Sequence, residues 1–223
     1  MMKHKHSLLL LILLCTTAVS VVDGIIMPGY VIKSAAKLLL FGLVPLLYAK
    51  RAGIPLRGLF QMKKQELKRA ALLGGAVFTL ILSGYFGLRN AADFSGITQS
   101  LTTTAGVSRE LFPIVAVYIS LVNALLEEFF FRGFAFLTLC HFFPGKFVYL
   151  FSSVVFALYH VSILQGWFSP ALYALAMTGL VVGGLLFNWL DSRTESLLPS
   201  YFVHMSANLA INTVGLILFG FIG

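Results

Sequence analysis

Seven long apolar runs leave this chain little freedom in what it can fold into. They occupy residues 7–27, 32–49, 70–88, 111–137, 147–164, 171–190 and 197–221. A helix needs roughly 20 apolar residues to cross a hydrocarbon core. In lipid, backbone N–H and C=O groups must be satisfied within the segment or around a closed barrel, so runs of this length predict helices. The expected fold class is all-α: a polytopic membrane helix bundle of about seven transmembrane helices, with residues 1–223 as a single integral membrane domain. Hydrophobic residues make up 59% of the chain and charged ones 11%, against about a quarter charged in a soluble domain. With a mean hydropathy of +0.93, these figures exclude a soluble domain and a disordered chain.

The net charge is +8, which in a soluble protein would suggest nucleic acid. Position points elsewhere. Lys50, Arg51, Arg57, Lys63, Lys64, Lys68 and Arg69 crowd one segment between the second and third runs, the mark of a cytoplasmic loop. No nucleic-acid partner is expected; the lipid bilayer is, and the cluster could also meet anionic headgroups. Lys3, Lys5, Lys146 and Arg193 fall on the same side if the amino terminus is inside, while Arg89 and Arg109 fall outside, with Lys33 and Lys37 near the outer boundary. Cys15 and Cys140 form no ligand-type spacing, so neither a disulfide framework nor a thiolate metal site is indicated. Ala18-Val19-Ser20 imitates a signal-peptidase site, but the run continues through Val21 and Val22, and an uncleaved first span is expected. Expected connectors are Pro28-Gly29, the basic segment, residues 89–110, Pro144-Gly145, 166–170 and 191–195. Gly179 and Gly183 form a small-xxx-small pair expected to let two helices approach closely.

Polar groups stand where polarity is expensive. The fourth run contains Glu127, Glu128 and Arg132, and ionisable groups at such depth usually face a cavity or one another. Glu128 and Arg132 are four residues apart, acid first, so they can pair along one helix face. Glu127 is then expected to lack a partner in its own helix, which suits a general acid or base. A charged triplet that only staples helices together is the alternative. His160 follows Phe156 by one turn near the end of the fifth run, and His204 precedes Asn208 by one turn in the seventh. Either histidine alone could simply bond a neighbouring helix. At about 1.5 Å per residue, Glu127, His160 and His204 fall roughly 10 to 20 Å from the presumed cytoplasmic side, so one buried site could collect them.

Such a set suits hydrolysis without a covalent intermediate. A carboxylate and a histidine can deprotonate water, while a second histidine and an amide can donate to the oxyanion formed at a carbonyl. Glu127, His160 and His204 could instead hold a zinc ion with one position left for water. Neither HExxH nor GxSxG occurs in the sequence.

Glu127-Glu128-xxx-Arg132, Phe156-xxx-His160 and His204-xxx-Asn208 together resemble the CPBP family, the CAAX prenyl endopeptidases of the Ras-converting type and their prokaryotic relatives often called Abi proteins. The likeness includes the Phe-Arg-Gly after the glutamates, Phe151-Ser152-Ser153 and the Gly183-Gly184 region, whereas residues 1 to about 110 carry none of it. It implies an intramembrane endopeptidase with its catalytic core in the last four helices, residues 111–221, and a cavity open to the cytosol. Carried over by position, Glu127 activates water with His160, His204 and Asn208 stabilise the oxyanion, and Glu128, Arg132 and Phe156 support them. The family has been described as metal-dependent and as glutamate-dependent. The glutamate route, needing no cofactor, is favoured because the amide Asn208 is a poor zinc ligand and a good donor; Zn is the other option. The implied partner is a membrane-associated peptide or protein substrate, of CAAX or bacteriocin-processing type, in a prokaryotic plasma membrane. Oligomeric state is not legible. Competing readings are a non-proteolytic immunity or scaffold protein of the same fold, and a proton-coupled transporter, disfavoured because no inverted halves are evident.

Overall fold

The computed structural model describes residues 5–222; Lys3, counted above among the cytoplasmic cations, lies outside the described residues. Among the described residues seven helices are long and apolar enough to cross a membrane: α1 (Lys5–Ile26), α2 (Tyr30–Ala52), α3 (Lys64–Leu88), α4 (Phe112–Leu137), α5 (Gly145–Ile163), α6 (Pro170–Ser192) and α7 (Leu198–Leu218). The described residues contain no strand. The chain is thus an integral, multi-pass helical membrane protein, as its apolar runs require.

Two connectors are more ordered than expected. α3 starts at Lys64 rather than at residue 70, because Glu66 accepts the Lys63 N–H at 2.8 Å and caps the helix. Lys64, Lys68 and Arg69 therefore stand on helical turns. Within 89–110 a short helix, Ser95–Gln99, runs into π-helical turns, Ser100–Thr104. Ile97 and Leu101, four apart, bury themselves with Val107 and Phe112.

α4 is the central helix. In its most apolar window 56% of residues are buried, against 6% for α3, whose leucines Leu72 and Leu80 face outward. Around α4 the core is aromatic: Phe130, Phe131, Phe134 and Phe136 meet Phe41 of α2 and Phe156 and Tyr159 of α5. In lipid there is little hydrophobic drive between helices, so close packing and interhelical hydrogen bonds must hold them. Asn188 of α6 donates to Tyr149 O and Ser153 Oγ of α5, both at 3.1 Å. Ser152 donates to Phe131 O of α4 at 3.0 Å, and Asn212 of α7 to Ala116 O of α4 at 3.1 Å.

Close helix approach in α6 comes from a different glycine than expected. Gly179 and Gly183 have no neighbour that an added methyl would meet, whereas a Cβ on Gly184 would lie 3.0 Å from Ser153 of α5. The turn of the helix, not the small-xxx-small spacing, decides which glycine faces α5. A Cβ on Gly74 would likewise come within 2.5 Å of Ser206 Oγ, so α3 lies directly on α7.

Candidate active site

The glutamates sit on an α-helical turn, Ala124–Glu128, between two π-helical stretches of α4, Ile119–Asn123 and Phe129–Leu137. Wide turns of this kind are rare and re-aim the side chains beside them, often at functional sites. Glu127 is 2% exposed, and Glu128 and Arg132 are fully buried. Neighbouring carboxylates on a helix point in different directions, so each has acquired its own partners.

Glu127 does have a partner in its own helix, contrary to the expectation from spacing. Asn123, one turn earlier, donates from Nδ2 to Oε1 at 2.7 Å. Tyr159 of α5 donates its hydroxyl to the same oxygen at 3.0 Å. With Oε1 engaged twice, Oε2 is the oxygen that faces the histidines. His160 Nε2 stands 3.9 Å from it and His204 Nε2 3.7 Å. These separations are too long for direct hydrogen bonds and short enough for a water to bridge Oε2 to either ring.

The far side of each ring fixes its proton. His160 Nδ1 lies 2.8 Å from the carbonyl oxygen of Phe156, which can only accept, so Nδ1 carries hydrogen. Phe156 also packs on the ring, centroids 4.6 Å apart, as the one-turn spacing predicts. His204 Nδ1 lies 2.8 Å from Glu128 Oε1, an oxygen that also accepts from Arg132 Nη1 at 3.1 Å. The His204 ring stacks on Phe187 of α6. The Arg132 guanidinium lies between the faces of Phe156 and Phe187, 4.1 and 4.9 Å from their centroids. Spacing therefore identified the Glu128–Arg132 pair correctly, and the fold adds His204 as its third member.

Asn208, one turn beyond His204, gives one amide hydrogen to Ile119 O of α4 at 3.3 Å; an amide nitrogen has a second. Asp191 falls in the last turn of α6, fully buried, rather than in a connector. Its carboxylate accepts Ser200 N–H at 3.1 Å and Ser200 Oγ–H at 2.6 Å, securing the start of the helix that carries His204. The sequence reading missed Asn123, Tyr159, Phe187 and Asp191. A polar residue one turn before Glu127 was a usable signal for Asn123; the others depend on how helices meet. Among the described residues no group of three or more His, Cys, Asp or Glu side chains is drawn together tightly enough to hold a metal ion as it stands.

Residues 109–210 match the family model described as type II CAAX prenyl endopeptidase Rce1-like. The matched stretch is somewhat under half of the chain and runs from just before α4 into α7. No curated protein and no solved structure matches the chain. All four helices that meet around Glu127 and its two histidines lie largely within the match, and over residues 109–210 the chain is accordingly similar to the Rce1-like type II CAAX prenyl endopeptidases.

Proposed function

We propose that the protein is an intramembrane endopeptidase in which Glu127 and His160 activate a water and His204 and Asn208 receive the oxyanion. The observation that carries this reading is the facing of Glu127 Oε2 toward the Nε2 atoms of both histidines. His160 Nε2 is an acceptor, because its Nδ1 hydrogen is given to Phe156. Glu127 Oε2 is an acceptor as well, and a water can donate one hydrogen to each. His204 has a carboxylate on both sides, Glu128 at Nδ1 and Glu127 at Nε2, so a doubly protonated ring is compensated and presents an Nε2–H.

Glu127 takes the proton as the water oxygen bonds to the scissile carbonyl carbon. The carbonyl π electrons move to its oxygen, which accepts from His204 Nε2–H and the second amide hydrogen of Asn208. The C–N bond then breaks, and Glu127 returns the proton to the departing nitrogen. General-base assistance typically accounts for about 10²–10⁴-fold in rate and an oxyanion donor for about 10²–10³-fold. Glu128 and Arg132 hold His204, and Phe156 holds His160.

A zinc-assisted variant is the second reading, favoured by one observation: both Nδ1–H groups are tied down so that both Nε2 lone pairs can point toward Glu127. Glu127, His160 and His204 would hold the ion, which would polarise the scissile carbonyl. The substrate is a membrane-associated peptide or protein, the membrane a prokaryotic plasma membrane, and the amino terminus cytoplasmic.

The test uses protein in liposomes with fluorogenic peptides, prenylated and not, and compares the parent with Glu127→Gln with and without chelator. Cleavage by the parent alone, indifferent to chelator, is expected. Equal cleavage by Glu127→Gln overturns the role of Glu127, and chelator sensitivity transfers the reading to zinc. Absence of any cleavage favours a non-proteolytic partner protein.

A further inference from the structure

Two helices outside the matched segment send charge toward Glu127. α1 ends in π-helical turns, Val22–Ile26, and the wide turn carries Asp23 inward, where it is 4% exposed. On α2, Lys37 stands immediately before another π-helical stretch, Leu38–Leu43. Lys37 Nζ lies 3.4 Å from Asp23 Oδ2, and Lys33, one turn earlier, donates to the Asp23 carbonyl at 3.0 Å. A buried carboxylate and a half-buried lysine between membrane helices are costly and need a reason to be there. The same Nζ lies 5.3 Å from the centroid of the Tyr159 ring, whose hydroxyl bonds Glu127 Oε1. The Lys37 charge is also within electrostatic range of Glu127 and His160.

We propose that Lys37, anchored by Asp23, is a positioning residue for Glu127 that acts through Tyr159. A cation over a phenol ring draws on its electrons and strengthens the O–H as a donor. It also fixes the ring's place between α2 and α5. Which of its two oxygens Glu127 turns toward the histidines depends on two donors, Asn123 and Tyr159; only Tyr159 belongs to another helix. Spans that carry none of the catalytic groups thus set the aim of the carboxylate. The catalytic meaning of this arrangement rests on the reading of Glu127 as the base.

The experiment uses the full chain in liposomes and two readouts. The first is steady-state cleavage by the parent, Lys37→Met, Lys37→Arg, Tyr159→Phe and the Lys37→Met/Tyr159→Phe double variant. The second is the Glu127 carboxylate stretch, isolated as the infrared difference between each protein and the same protein carrying Glu127→Gln. We expect kcat to fall about 10–100-fold in Lys37→Met and in Tyr159→Phe with KM within about threefold, and the double variant to lie within about threefold of Tyr159→Phe. Lys37→Arg restores most of the loss. The infrared band moves in the same direction in Lys37→Met and Tyr159→Phe. Multiplying defects in the double variant, or a rise in KM with kcat unchanged, overturn the proposal. If Lys37→Met fails to fold, Asp23→Asn, which removes the anchor at constant size, must show the same kcat loss and band shift. Should no protein cleave any peptide, the protease reading fails while the band still decides: a shift upholds the positioning role, and an unmoved band overturns it.

Discussion

Glu128 and His204, 76 residues apart on α4 and α7, are joined by a 2.8 Å hydrogen bond to a carboxylate oxygen that Arg132 holds from the other side. The second histidine therefore belongs to a buried ion network before it belongs to the site. Glu128→Gln keeps the shape and removes the charge that compensates a protonated ring. It should lower kcat about 10²-fold, the scale of one lost oxyanion donor, with little change in KM. Arg132→Met should instead lower stability by about 3–5 kcal/mol, because it leaves a carboxylate buried without its partner. Thermal unfolding in detergent, run beside the kinetics, separates the two.

Asn208 and Asn212 stand one turn apart on α7, and both donate to α4. Asn212, about two turns beyond His204 along α7, gives its amide hydrogens to Ala116 O and Ser120 Oγ. Asn208→Ala is expected to lower kcat about 10²–10³-fold at nearly constant melting temperature. Asn212→Ala is expected to lower stability by roughly 0.6–2 kcal/mol at nearly constant kcat. The reverse pattern would remove Asn208 from the oxyanion site.

A Cβ added at Gly184 would meet Ser153, whereas one added at Gly183 would meet nothing within 4 Å. Gly184→Leu should part α5 from α6 and lose folded, monodisperse protein on size exclusion, whereas Gly183→Leu should behave as the parent. A tolerant Gly184 would mean that the two helices approach elsewhere.

Cys140 lies between α4 and α5 and is exposed, while Cys15 is buried. With the amino terminus inside, Cys140 is cytoplasmic, so an impermeant maleimide should label inverted vesicles and spare intact cells. Desolvation by its surroundings raises the thiol pKa above its ordinary value. The reactive thiolate is therefore scarcer at neutral pH than for a free cysteine, and the labelling rate should still be climbing through the ordinary thiol range. A rate that levels off at neutral pH would contradict the raised thiol pKa. Labelling of intact cells would invert the topology.

Much of this was legible in the residues. Seven helices followed from apolar length, because a run of about 20 residues fits a helix across lipid, with its backbone satisfied within the segment, and is too long for a barrel strand. Glu128 with Arg132 and Phe156 with His160 followed from the helical repeat, since residues one turn apart share a face. The same rule, applied only forward from Glu127, overlooked Asn123 behind it. Applied to Gly179 and Gly183 it named the wrong glycines, because spacing says which residues share a face and not what that face meets.

The sequence by itself determined which segments cross the membrane and which polar groups they take with them. It could do so because transfer from water to lipid depends on each segment's own composition. Only the tertiary structure decided that Glu127 offers Oε2 to both histidines, that Glu128 turns to His204, and that Asp23 and Lys37 stand behind Tyr159. Apolar flanks are interchangeable in lipid, so hydrophobicity does not choose which helices touch. That choice falls to close packing, to interhelical hydrogen bonds and to the wide turns that rotate one face against the next.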